Sequence, residues 1–141
     1  MFSKSCKYAI RSVLYLAVHA EPGIKTGVKE IAERLDLPKH FLAKVLQQLS
    51  RNGLISSVKG PHGGFYLNDE NLKATLEQII LAIDGPQVLY GCILGLSSCS
   101  SDNPCPLHAQ IVAYREGLYY QLKHRRIEDL AQRIRFDHLA I

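Results

Sequence analysis

Residues 28–67 read VKEIAERLDLPKHFLAKVLQQLSRNGLISSVKGPHGGFYL, and this stretch decides the fold. Val28, Ile31, Ala32 and Leu35 fall at i, i+3, i+4 and i+7, one apolar face of a helix. Asp36-Leu37-Pro38 interrupts it, because proline biases its predecessor away from helical backbone and suits the first turn of a new helix. Leu42, Val45, Leu46 and Leu49 then repeat the spacing. The other side of this second helix carries Lys39, His40, Lys44, Gln47 and Arg51, which hydrogen-bond phosphates and base edges and include no carboxylate. Asn52-Gly53 supplies a helix stop. Leu54–Val58 is predicted to be a strand and Gly64–Leu67 its return, joined by Lys59-Gly60-Pro61-His62-Gly63, a turn with cationic Lys59 at its tip and His62 beside it. Helix, break, helix and hairpin make a winged helix-turn-helix, whose second helix enters a DNA major groove. A plain helical hairpin with a solvated basic face has the same periodicity; the glycine-rich wing with its lysine is what turns the reading towards DNA.

The surrounding chain agrees. Its 141 residues suffice for one domain with a real core, and 47% hydrophobic with 21% charged residues is an ordinary globular composition. No apolar run reaches membrane-spanning length and no signal peptide precedes the first helix, so a cytoplasmic protein with no membrane partner is expected. The net charge of +4 is unevenly placed: residues 1–60 hold ten Lys/Arg against four Asp/Glu, and residues 61–141 hold seven against nine. The basic half is the half with the helix-turn-helix, as an electrostatic footprint for nucleic acid requires.

Ser3 or Ser5 can cap a first helix reaching about Ala20, with Ala9, Val13, Leu16 and Ala17 inward. Ile24-Lys25-Thr26 is a candidate short strand beside the wing. Asn68–Ala74 reads as polar loop, and Thr75-x-x-Gln78 as a capping box opening a helix that Gly85-Pro86 closes. From Leu107 a helical stripe of Leu107, Ile111, Tyr114, Leu118 and Leu122 suits pairing with a second copy, although packing back on its own domain is the other use of such a face. A last short helix contains Ile127, Leu130, Ala131 and Ile134. The fold expected is mainly α with a small β-hairpin wing, plus a long C-terminal dimerisation helix.

Between Pro86 and Pro106 the chain changes character, becoming rich in Gly, Ser, Pro and Cys. Cys92, Cys99 and Cys105 lie within fourteen residues, and His108 follows three residues later. Thiolate and imidazole ligate soft or borderline metals. Disulfides are not the expected use in a chain without an export signal. Zinc is one candidate, although its compact C-x₂₋₄-C knuckles are absent; an iron–sulfur cluster tolerates varied spacing and accepts histidine. Cys6 stands apart and reads as a small buried hydrophobe.

The helix-turn-helix, the Lys59–Phe65 wing, the Ile79-Ile80-Leu81-Ala82-Ile83-Asp84-Gly85 helix end and the Cys92…Cys99…Cys105-Pro106-Leu107-His108 cluster occur in that order, after an opening Tyr8-Ala9-Ile10-Arg11-x-x-Leu14-x-Leu16-Ala17. Over nearly its whole length the chain resembles the bacterial IscR/NsrR-type family of winged-helix iron–sulfur transcriptional regulators. The resemblance implies a homodimer held by the long helix, a palindromic double-stranded DNA operator, and a cluster ligated by Cys92, Cys99 and Cys105 that responds to iron, redox state or nitric oxide. It divides the chain into a DNA-binding domain (1–85), a cluster-binding loop (86–106) and a dimerisation helix with a C-terminal helix (107–141). His108 matches the histidine ligand of IscR-like members. NsrR-like members use an acidic residue from the partner's first helix, where this chain has Lys7, so the resemblance favours a 2Fe–2S cluster, with 4Fe–4S the remaining form. A recognition-helix glutamate that selects operators in IscR is replaced by Ala43.

Two other classes compete. In one, the chain is a DNA-binding regulator whose cysteine loop is structural, holding zinc or no metal. In the other it is a thiol redox enzyme. No C-x-x-C pair and no base placed beside a nucleophilic cysteine support that last class, so neither an enzyme nor a small-molecule substrate is expected.

Overall fold

The apolar spacing of the first sixteen or so residues produces helix α1, Lys4–Val18, whose N-terminus is capped by Ser3 accepting from the Cys6 amide at 3.0 Å. In this computed structural model, which describes residues 1–136, two helices follow at a sharp turn: α2, Val28–Leu35, and α3, Lys39–Arg51. Asp36 makes the turn in the left-handed conformation, Leu37 is buried beneath it, and Pro38 opens α3 with its preset φ. Arg11 of α1 donates to the Leu35 carbonyl at 2.8 Å, which satisfies a C-terminal carbonyl of α2 and ties α1 to the turn.

The wing is the antiparallel pair β1, Ser56–Val58, and β2, Gly64–Tyr66, with Ser57 opposite Phe65. Its first strand is shorter than expected, because Leu54 and Ile55 are buried in the core. A side chain at Gly63 would put its Cβ 2.0 Å from the Val58 carbonyl oxygen, and Gly64 sits at φ +153° against the Thr26 backbone, so neither position has room for another residue. The expected strand at residues 24–26 is reduced to one bridge, in which Thr26 and Phe65 exchange both backbone hydrogen bonds at 2.9 and 2.8 Å.

Residues 68–74, expected as polar loop, contain a four-residue helix, α4, Asp69–Leu72. Asn68 and Asn71 close a reciprocal capping box around it. Helix α5, Leu76–Asp84, opens on the expected Thr75/Gln78 box. A further turn of helix, α6, Gln87–Tyr90, was also not expected and buries Leu89. Helix α7 runs His108–His124 and helix α8 runs Ile127–Phe136; the last five residues of the 107–141 segment lie outside the described residues.

The core is made where α1, α2, α3, α5 and α8 meet, around Val13, Ile31, Leu46, Leu49, Ile79 and Ile127, all fully buried. Fully burying one such side chain stabilises the fold by about 1.5–3 kcal/mol. A smaller cluster joins α1 and α5 to α6 and α7 through Cys6, Ile80, Leu89 and Leu122. The α7 stripe therefore divides. Leu118 and Leu122 pack on their own domain, whereas Leu107 and Tyr114 remain exposed. Among the described residues no helix is long and apolar enough to cross a membrane.

Candidate DNA interface and cysteine centre

Burying Leu42, Val45, Leu46 and Leu49 fixes the rotation of α3, and with it the opposite face. Lys39, His40, Lys44, Gln47 and Arg51 all lie exposed, as do Lys59 and His62 at the wing tip. The structure thus sets out every candidate DNA-contacting side chain on open surface. The wing is braced against α3 by Ser50 and Ser57, whose hydroxyls are 3.2 Å apart.

One residue that holds this interface was not singled out from sequence. Asn71 is buried, donates to the Gly53 carbonyl at 2.7 Å, and accepts from Ser56 Oγ at 2.8 Å and the Asn68 amide at 2.9 Å. It joins the turn after α3, the first wing strand and α4. Its signal was the Asn68-x-x-Asn71 spacing, which has the reach of a capping box even without apolar periodicity.

At the other end of the molecule the loop folds back so that the Sγ atoms of Cys92, Cys99 and Cys105 all lie within 4.8 Å of one another. Cys92 and Cys105 sulfurs are 3.7 Å apart, and His108 Nδ1 is 3.2 Å from Cys99 Sγ. His108 is the first residue of α7, so a helix end places this imidazole beside the thiols. All four are half-buried. The Leu96 amide above all draws the Cys92 thiol down to about 7 against the opposing effect of burial, with the Leu94 amide and the Cys99 and Cys105 thiols adding to it. The Cys105 amide acts the same way on Cys99, at 3.4 Å, but burial and the two neighbouring thiols outweigh it and leave Cys99 raised. Three thiolates cannot share this space without a cation. A tetrahedral metal with thiolates at about 2.3 Å separates its sulfurs by about 3.8 Å, so the donor set fits thiolate ligation of a metal centre. The adjoining cleft, about 70 Å³, has apolar walls from Ile93, Leu107, Ile111 and Val112, and Arg115 sets one positive charge beside it.

The two sites are joined through α5. Tyr90, two residues before Cys92, donates its hydroxyl to Glu77 Oε1 at 2.9 Å and packs edge-on against Tyr119 of α7 with ring centroids 5.3 Å apart. At the far end of α5 the Ala82 carbonyl accepts from Gln48 Nε2 of α3 at 2.8 Å.

Residues 2–133 match the model of the Rrf2 family, described as an iron-dependent transcriptional regulator. A candidate HTH-type transcriptional regulator of Aquifex aeolicus (strain VF5) is 36% identical over 132 residues, 92% of this chain and 90% of that protein. The HTH-type transcriptional regulator IscR of Photorhabdus laumondii is 30% identical over 103 residues, which are 73% of this chain and 62% of IscR, so the chain spans about three fifths of that relative. Among solved structures, CymR (YrzC), the global cysteine regulator of B. subtilis, superposes with a TM-score of 0.75 at 25% identity, over 94% of this chain and 96% of CymR. T. potens IscR shares the fold at a TM-score of 0.75, with 22% identity over 100% of this chain and 93% of that one. These relatives are named as transcriptional regulators and not as enzymes.

Proposed function

Because the chain belongs to the Rrf2 family of transcriptional regulators, we propose that it is a cytoplasmic homodimeric regulator whose operator binding is controlled by an iron–sulfur cluster held by Cys92, Cys99, Cys105 and His108. The observation that carries the proposal is the convergence of three thiols within 4.8 Å beside an imidazole, in a chain whose other face is a winged helix-turn-helix. When bound, an iron–sulfur cluster supplies a redox-sensitive crosslink. The rest is done by this chain's own residues. Four ligands on one centre tie a Gly/Ser-rich loop to the first turn of α7, and Tyr90 hands the loop's position to α5 through Glu77. Gln48 in turn ties α5 to α3. Lys39, His40, Lys44 and Gln47 contact the major groove, and Lys59 with His62 reaches the adjacent minor groove from the wing. The homodimer uses the exposed part of α7, around Leu107 and Tyr114, and matches two half-sites of a palindromic operator.

A cluster ligated by three cysteines and one histidine favours the 2Fe–2S form. The Cys92 and Cys105 sulfurs, 3.7 Å apart, also suit two thiolates on one tetrahedral zinc, so a single zinc in a structural loop is the second reading. Protein purified without air separates the two. Visible absorption together with matching iron and acid-labile sulfide supports the cluster, and a colourless protein with one zinc per chain replaces it by the second reading.

A further inference from the structure

Phe41 is the one large apolar side chain of α3 that the core does not take. It sits in the first turn of the helix with 40% of its surface exposed, next to fully buried Leu42. Its ring is held edge-to-face by Tyr8 of α1, with centroids 5.7 Å apart and planes at 90°, so the exposed part is presented in a defined place and not left to wander. Lys39 and His40 precede it, and Lys44 lies one helical turn further on; α3 contains no carboxylate. Most of the other exposed large apolar side chains lie between Tyr90 and Tyr120, on the α6–α7 side, so Phe41 does not extend that apolar surface. An exposed phenyl on a helix that carries Lys39 and Lys44 and no carboxylate suits a polyanion better than an apolar protein partner.

We infer that Phe41 is a specificity-determining residue that reads the 5-methyl group of one thymine in each operator half-site. The inference rests on the DNA-binding reading of α3. In a helix-turn-helix the N-terminal residues of the second helix meet the base edges. A phenyl group has nothing to donate or accept there, and phosphates offer it no partner. The major-groove edges of the four bases present one apolar group, the thymine methyl, and phenylalanine is among the side chains that pack on it. Lys44 and Gln47 supply hydrogen bonds on the same face, so Phe41 adds discrimination that their polar contacts lack.

The test uses a duplex selected by the full-length protein from a random pool, with each thymine replaced in turn by deoxyuridine, which lacks only the methyl. Wild-type protein is expected to lose about four-fold in affinity at one position per half-site, the change that removing one buried methyl group produces. Phe41→Ala and Phe41→Gln should bind the parent duplex more weakly by a similar factor, bind thymine and uracil alike at that position, and keep the salt dependence of the wild type. The inference is overturned if either variant still discriminates by the wild-type factor, or if no uracil substitution weakens the wild type. Recovery of no duplex from the pool would instead overturn the DNA-binding reading itself.

Discussion

The winged helix and the cysteine loop are held by different forces. In the first, α1, α2, α3, α5 and α8 surround a core in which Val13, Ile31, Leu46, Leu49 and Ile79 have no exposure. In the second, residues 91–107 contain no fully buried side chain and close on thiols, one imidazole and a few backbone contacts. The second region therefore has far fewer buried apolar contacts than the first, a feature of the parts of a fold that open most easily.

The largest effect should come from attacking the first region. Leu46→Ala is expected to cost about 2–5 kcal/mol of folding stability, measured by urea denaturation. Cys99→Ala, in the second region, should cost less than about 0.5 kcal/mol in metal-free protein. Equal costs would erase the distinction. Next is the exposed part of α7. Tyr114 is 62% exposed in the protomer, so Tyr114→Asp should leave protomer stability unchanged while weakening the dimer at least tenfold in sedimentation, because it buries a lone carboxylate in the seam. An undisturbed dimer would place the interface elsewhere. A smaller effect is expected at the wing: Lys59→Ala should lower the slope of log affinity against log salt by about one, the loss of a single phosphate contact.

The smallest effect at neutral pH concerns Cys6, where the two regions meet. Burial, with Asp84 adding to it, pushes the Cys6 thiol up from 9.0 to about 12. The folded state therefore keeps the proton that the unfolded chain gives up. That contribution to stability is intact below pH 9 and declines as pH rises towards 12. At pH 8 Cys6 should resist alkylation until the protein unfolds, whereas the three loop thiols of metal-free protein react in the folded state. Rapid labelling of all four would show that α1 opens readily.

The same contrast governs what could be read from sequence. Helices α1, α2 and α3 were legible because each buries a face with a clear 3.6-residue period, and the wing because Gly63 and Gly64 admit no side chain. Helices α4 and α6 were missed: four residues are too few to show a period, and the polar cap of Asn68 and Asn71 resembled loop composition. The α7 stripe was visible, but periodicity says only that a face is apolar. It does not say that Leu118 and Leu122 turn to the protomer's own core while Tyr114 stays outside. Cysteine and histidine spacing picked out four residues that the fold brings together. The 3.2 Å approach of His108 to Cys99 depends on where α7 begins, a boundary that periodicity locates poorly. Nothing in the sequence marks Phe41 as exposed, because an aromatic residue in a helix is normally core.

Whether the cysteine centre sets the affinity of the DNA face is decided by comparing operator binding of anaerobically purified wild-type protein with that of Cys99→Ala at one salt concentration. The wild type should be coloured, the variant colourless but folded, and their affinities should differ about 5- to 150-fold, the range of ordinary allosteric coupling. Equal affinity of the two proteins for every selected operator would contradict this coupling, and would reduce the cysteine centre to a structural element.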